Sequence, residues 1–433
     1  MMNINHDEVF RLADMHETPF YLYDGDFLES HYRTIREMFD PSISFYLSLK
    51  SNNNVYLASL FQSWGTGVEV ASVGEIVLAN KAGFTTGQMI FSGPGKKKSE
   101  LEYAVQVGIG CIIAESADEL RAIKTIVEYA NKEVSVAIRI NPDKSMANTA
   151  IKMGGAPRQF GIDESMLEEA MCVIQASQSI IFAGIHVYGG TQNLNHDAIV
   201  ESVRYTVGLA VKIYEQYGYI CRMVNLGGGF GIPYFPHEVP LNAAELAARI
   251  NAIVQDARKT NFKDTVFIIE SGRYLLAQSA IYVTRVLYSK LSKGERFIIV
   301  DGGMHHHAAS TFRGRNIRNN FPLGFISKVS GEASQEEATL EKASIVGPLC
   351  TPEDCIGKGI NVPVLQAGDI VYVLNSGAYG LSYSPIQFLG HPSPAELLNH
   401  RGQCRIIRRR GDSEDLLVNQ VFSDQIVNPI LGE

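Results

Sequence analysis

Tryptophan occurs once in 433 residues, and the six cysteines are scattered as Cys111, Cys172, Cys221, Cys350, Cys355 and Cys404 without a C-x-x-C pair. Such dispersal argues against a disulfide framework and against structural zinc, and it suits a reducing compartment, so the expected location is the cytoplasm. No run is long and apolar enough to span a bilayer, and the polar stretch Met1–Glu17 lacks a signal-peptide core. No membrane association is expected. Net charge is −8 with dispersed basic residues, which gives no nucleic-acid footprint. The short run Lys96-Lys97-Lys98 reads as the solvated start of a helix. Internal repeats and low-complexity segments are missing as well.

What is present is an ordinary globular composition, 45% hydrophobic and 19% charged, in a chain long enough for two domains. Short apolar strands alternate with helix-period segments from about residue 40 to 275: Ser42–Leu49, Gly67–Ala71, Met89–Ser92, Cys111–Ala114, Val134–Ile140, Ile181–Val187, Met223–Leu226 and Val266–Glu270. Eight such alternations predict an α/β fold, a (β/α)8 barrel over residues 26–275. Beyond it, Ala280–Tyr288, Arg296–Val300, Ala343–Val346, Ile370–Asn375 and Gln403–Arg408 read as strands with little helical periodicity. They predict a C-terminal β-rich domain of residues 276–433, into which residues 1–25 pair through the strand-like segment Thr18–Asp24.

In a barrel of this kind chemistry sits at the carboxyl ends of the strands, and polar residues cluster there. Lys50 closes the apolar run Ile43-Ser-Phe-Tyr-Leu-Ser-Leu-Lys50 and is followed at once by Ser51-Asn-Asn-Asn54. An amine in that place is either a strand cap or, desolvated and with a lowered pKa, a nucleophile toward a carbonyl. Asn225-Leu-Gly-Gly-Gly-Phe-Gly231 follows a strand and is expected to precede a helix, where backbone N–H groups cradle a phosphate. It lacks the spacing of the dinucleotide fingerprint. Ile268-Ile-Glu-Ser-Gly-Arg273 ends the last barrel strand. Beside a glycine loop, Arg273 suits a phosphate and Glu270 a protonated pyridine nitrogen; the plainer reading is a surface ion pair. His186 ends another strand, Cys350 lies in a turn, and Tyr379 is flanked by glycines. Each has a packing explanation as well as a functional one. Three consecutive histidines, His305-His306-His307, are a poor chelate in extended backbone, so no metal site is expected and the imidazoles are read as lining the substrate mouth.

The order Lys50, Gly65-Thr-Gly-Val-Glu-Val-Ala-Ser-Val-Gly-Glu75, Arg139-Ile-Asn-Pro142, His186, Gly227-Gly-Gly229, Glu270-Ser-Gly-Arg273, Gly347-Pro-Leu-Cys350 with Asp354, and Gly377-Ala-Tyr-Gly380 resembles the fold-type III pyridoxal-phosphate decarboxylases. That group includes the diaminopimelate and ornithine decarboxylases and shares the alanine racemase-like barrel. The resemblance implies pyridoxal 5'-phosphate as cofactor, with Lys50 as its covalent anchor and His186 stacked on its ring. It implies Glu270 at the pyridine nitrogen, Gly228, Gly229, Arg273 and Tyr379 around the phosphate, and Glu69 with Arg139 as a charged pair beneath. Thr191 is the candidate for a further hydroxyl contact. Cys350 matches the residue that reaches across a homodimer interface and protonates the decarboxylated carbon, so shared active sites are implied too.

Departures from the family pattern narrow the substrate. The family's diamino-acid enzymes carry an acidic residue directly after the cysteine, whereas this chain has Thr351. A neutral hydroxyl cannot offset a buried ammonium, which would cost several kcal/mol if left unpaired. With His305-His-His-Ala-Ala-Ser-Thr-Phe-Arg-Gly-Arg315 and Phe388-Leu-Gly-His-Pro-Ser-Pro-Ala-Glu396, the chain looks closer to the decarboxylases of butirosin-type antibiotic biosynthesis. These act on a glutamyl thioester of an acyl carrier protein and leave a 4-aminobutyryl thioester. The expected substrate contacts are then Arg313, Arg315, Thr351 and Asp354. Decarboxylation of a free amino acid is the alternative, and a cofactor-free regulatory relative is a remote one. A racemase is disfavoured, because such enzymes place an arginine where Glu270 stands.

Overall fold

The computed structural model describes residues 2–143, 151–152, 157–311, 320–327 and 340–421. Along the chain run β1 (Phe20–Asp24), β2 (Ile43–Ser48), β3 (Gly67–Val70), β4 (Met89–Phe91), β5 (Cys111–Ala114) and β6 (Val134–Asn141). They are followed by β7 (Ile151–Lys152), β8 (Ile162–Asp163), β9 (Ile180–His186), β10 (Gly190–Thr191), β11 (Met223–Gly228) and β12 (Val266–Ser271). Parallel pairing in the order β5-β4-β3-β2-β12-β11-β9-β6, closed by β5 on β6, makes the barrel. Its strands are nearly continuous apolar runs because both faces are covered. Period-two alternation sorts neighbours into separate clusters: Ile90, Cys111, Ile113, Ala137, Ala183, Met223 and Ile268 pack together, while Phe91, Ile112, Val136 and Ile138 join the larger core with the helices.

Helices start directly after the strands because side chains cap them. Asn54 Oδ1 accepts from Tyr56 and Leu57 N–H, Ser72 caps Val73–Lys81, and Ser116 caps Ala117–Ala130. Short strand-to-helix loops therefore hold the strand ends on one rim. Lys96 departs from the solvated helix start read from sequence. It is 1% accessible, and its Nζ donates to Gly93 O (2.6 Å), Ile113 O (2.8 Å) and Glu119 Oε1 (2.7 Å). Only Lys97 and Lys98 border the helix Lys98–Val107. All three ammonium donors are engaged, which is what makes its burial tolerable.

The second sheet contains β13 (Ala280–Ser292), β14 (Glu295–Val300), β15 (Leu323–Ile326), β16 (Leu340–Val346), β17 (Cys355–Pro363), β18 (Ile370–Val373), β19 (Ala395–His400) and β20 (Gln403–Arg408). Its order is β17-β16-β14-β13-β1-β19-β20, with β18 pairing β13 and β15. The N-terminal strand sits in its middle, antiparallel to β13 (Phe20↔Val283) and parallel to β19 (Phe20↔Ala395). A buried polar network joins the loop after β2 to this sheet. Asn52 Nδ2 donates to Tyr23 Oη (2.8 Å) and Gly377 O (3.0 Å), while Tyr23 Oη and Asn54 Nδ2 both donate to Glu396. Among the described residues no helix is long and apolar enough to cross a membrane.

Candidate active site

Strand register sets the level of each functional side chain. Ser48 pairs Glu69 across β2 and β3; Arg139 pairs His186 across β6 and β9; His186 pairs Asn225 across β9 and β11. All lie at the carboxyl ends of their strands. Lys50 stands two residues past β2, in the 3-10 turn Leu49–Ser51, and its side chain is 47% accessible while Glu69 is 3% accessible. The amine donates to Glu69 Oε1 (2.9 Å) and Oε2 (3.1 Å).

That pairing reverses the shift expected for Lys50. Burial disfavours the ammonium, but the charges of Glu69, Tyr379 and Glu270 outweigh it and raise the pKa. Glu69 mirrors it: burial opposes the carboxylate, and Lys50, the Ser48 hydrogen bond and Arg139 hold its pKa down. Glu69 thus favours Lys50 as an ammonium, and an amine so paired is nucleophilic only once it is drawn from the carboxylate. Arg139 does not bond Glu69 directly. Its Nη1 pairs with Glu115 Oε1 at 3.1 Å, and its guanidinium lies over Phe160 (4.8 Å) and Tyr188 (5.9 Å).

Glu270 is buried, accepts from Asn225 Nδ2 at 2.6 Å, and lies 3.6 Å from His186 Nε2. Burial and the neighbouring Glu69 charge push its carboxyl pKa up, against the pull of Lys50. His186 is neutral: burial, then Arg139 and Lys50, take its pKa well below the ordinary value, and neither ring nitrogen has a hydrogen-bond partner. Arg273 begins a short helix after β12, with Nη1 on Tyr234 Oη (2.8 Å), its guanidinium over Tyr379 (4.6 Å), and Nε without a partner. Tyr379 N–H donates to Ser51 O (2.7 Å), which fastens the second sheet to the Lys50 turn.

The glycine loop is a close-contact cradle. A Cβ on Gly228 would lie 1.6 Å from Glu270 O, and one on Gly229 1.8 Å from Gly190 O. No helix follows it directly, contrary to the sequence reading; the next begins at Ala243. Backbone and Arg273, not a helix dipole, are what it offers an anion. Thr191 ends the short β10 near Tyr188, whose phenol pKa burial raises and the Thr191 hydroxyl lowers.

The remaining expected residues fall elsewhere. Cys350 is exposed on the turn between β16 and β17 of the second sheet, with half-buried Thr351 next to it. Asp354, expected among substrate contacts, is turned inward. Its carboxylate accepts from Met304 N–H (2.7 Å) and Leu349 N–H (2.8 Å), so it shapes the turn that carries Cys350. Arg313 and Arg315 lie outside the described residues. His305, His306 and His307 do not line a mouth: they are 0%, 2% and 1% accessible, with His306 on Tyr282 Oη and Pro392 O and His307 on Ser376 Oγ.

Residues 26–277 match the family model described as the pyridoxal binding domain of the pyridoxal-dependent decarboxylases. The chain belongs to that family. The decarboxylase is 61% identical over 393 residues to the L-glutamyl-[BtrI acyl-carrier protein] decarboxylase of Niallia circulans, covering 91% of each chain. It is 30% identical to a diaminopimelate decarboxylase of Helicobacter pylori, over 87% of this chain and 89% of that one. A crystal structure of a Helicobacter pylori diaminopimelate decarboxylase complexed with L-lysine superposes with a TM-score of 0.84 at 30% identity, covering 96% and 98% of the two chains.

The decarboxylase is therefore pyridoxal phosphate-dependent, and its residues fit that group. The orphaned Arg273 Nε and the glycine backbone suit the phosphate. Unpartnered His186 suits the face of a ring, Glu270 a ring nitrogen, and Lys50 the aldehyde carbon. Sequence reading missed Glu115, Asn225, Tyr188 and Tyr234. Glu115 carried the signal that exposed Lys50, a charge directly after a buried strand; Tyr234, in an irregular segment, carried none.

Proposed function

We propose that this decarboxylase removes the α-carboxylate from a γ-glutamyl thioester of an acyl carrier protein, leaving a 4-aminobutyryl thioester in antibiotic biosynthesis. The observation that carries the reading is the 61% identity over 91% of the chain to a glutamyl-carrier decarboxylase. Thr351 supports it, since no charge beside Cys350 offsets a distal ammonium.

When bound, pyridoxal phosphate supplies an electron sink for the pair left as carbon dioxide departs. Glu270 holds the proton at the ring nitrogen, and Asn225 orients its carboxylate. His186, neutral and buried, covers a ring face and excludes water. Arg273 with Gly228 and Gly229 anchors the phosphate. Lys50 anchors the aldehyde end and later displaces the product amine. Cys350 gives its thiol proton to the α-carbon and regains one from solvent. Its exposure on the second sheet suits delivery into the site of a second subunit, so the working unit is a homodimer with shared sites. Arg313 and Arg315 contact the acidic carrier, and the free cysteines suit the cytoplasm.

The 30% identity to diaminopimelate decarboxylases favours a second reading, action on a free amino acid. Carbon dioxide release from carrier-bound glutamate, free glutamate, diaminopimelate, ornithine and lysine separates the two. Turnover of the carrier-bound substrate alone is expected. Turnover of a free diamino acid, with the carrier form untouched, would overturn the reading.

A further inference from the structure

Asn225 is fully buried at the level where β11 leaves regular pairing with β12. Asn225 pairs Ile268, but the next pairing is Gly228 with Glu270, so one extra residue is accommodated on β11. The chain takes up that residue in a left-handed turn at Gly227 (φ +68°), where a Cβ would lie 2.6 Å from Val187 O. The Gly227 N–H bonds instead to Asn225 Oδ1 at 3.0 Å. The other end of the same amide, Nδ2, donates to Glu270 Oε1 at 2.6 Å.

We propose that Asn225 is a positioning residue that ties the carboxylate for the ring nitrogen to the loop for the phosphate. One uncharged group fixes both ends of the cofactor cradle relative to each other. The chemistry requires an amide. A carboxylate offers acceptors to both partners and sets a second negative charge against Glu270; an aliphatic side chain leaves the Gly227 N–H and Glu270 unsupported. Glu270 is faced by Lys50, Glu69 and Arg139 through their charges, by His186 Nε2 at 3.6 Å, and by Tyr46 of the neighbouring β2. Beside these, Asn225 donates directly to the carboxylate and favours its ionised form without adding charge. The inference rests on Glu270 serving the ring nitrogen and deepens that assignment.

Asn225→Asp separates the two halves of the role, because it keeps the acceptor for Gly227 and removes the donor to Glu270. Asn225→Ala removes both. Holoenzymes are compared by fluorescence titration of pyridoxal phosphate and by the pH dependence of the bound cofactor's absorbance and of kcat. For Asn225→Asp we expect cofactor affinity close to wild type, with the absorbance titration and the kcat profile moved by about one pH unit or more, a tenfold change in proton affinity. For Asn225→Ala, cofactor affinity falls as well, by about tenfold or more, as expected when a buried N–H loses its partner. An Asn225→Asp protein with wild-type titration would overturn the proposal. So would two variants that lose thermal stability alike and titrate alike, since that is strand packing only. Should the Ala variant fail to fold, the titration of the Asp variant decides. Wild-type protein that takes up no pyridoxal phosphate would instead sink the cofactor assignment beneath the proposal.

Discussion

Lys50 and Glu69 hold each other's charge at the barrel mouth, and on β12 and β11, next in order to β2, Asn225 donates to the Glu270 carboxylate. Lys50→Ala should lose both the near-visible absorbance of the bound cofactor and turnover; a variant retaining that band would show that another group anchors it. Glu270→Gln keeps the shape and removes the charge. Its kcat should fall roughly 10²- to 10³-fold, the range seen when one electrostatic stabiliser is removed, and wild-type kcat would exclude the ring-nitrogen role. Lys96→Ala strands Glu119, only 9% accessible, and two carbonyls. Denaturant unfolding should show a loss of about 3–5 kcal/mol, the usual cost of breaking a buried ion pair. Lys50, His186 and Glu270 were legible in the sequence because each polar residue interrupts an apolar run at a strand end. Their partners were not, since which carboxylate meets which cation depends on strand order: Arg139 reaches Glu115, just past the end of the adjacent β5, and not Glu69.

At the scale of elements, the proposed cofactor cradle is built from the bulged end of β11 and the turn after β2. Gly228→Ala would force a methyl to 1.6 Å from Glu270 O, so β11 must move. Pyridoxal phosphate affinity should collapse while Lys50 and Arg273 remain in place, and an unchanged dissociation constant would show that the loop does not meet the cofactor. The barrel strands were legible because parallel strands buried on both faces read as unbroken apolar runs. Three strands of the second sheet were not. Cys-Ile-Gly-Lys-Gly-Ile-Asn-Val-Pro of β17 carries two glycines and a proline, β19 has no β-branched residue, and β15 is four residues long. The helix expected after the glycine loop failed for a related reason: Gly231-Ile-Pro-Tyr-Phe-Pro236 cannot start one, and the chain waits for the Asn242 cap.

The whole molecule depends on contacts between the barrel and the second sheet, through Tyr23, Asn52, Asn54 and Glu396 and through Tyr379 on Ser51. Buried histidines make that assembly acid-sensitive. Burial takes His305 down to about 3 and His306 to about 2, so below the ordinary 6.5 the unfolded chain binds protons that the folded one refuses. The stability they permit is complete above pH 6.5 and falls as pH drops toward 3, by about 1.4 kcal/mol per unit for each ring. Unfolding midpoints measured from pH 7 to 4 should decline, and His305→Phe should flatten the slope; an unaltered slope would show that His305 charges freely. If the sites are shared, mixing inactive Lys50→Ala and Cys350→Ala subunits should restore turnover, whereas no recovery after exchange would place Cys350 in its own subunit's site. The most direct measurement is mass spectrometry of a glutamyl-loaded acyl carrier protein before and after incubation with the decarboxylase. Loss of one carbon dioxide from the carrier-bound group is expected. An unchanged carrier mass, from enzyme that holds pyridoxal phosphate and decarboxylates a free amino acid, would contradict the carrier-bound substrate.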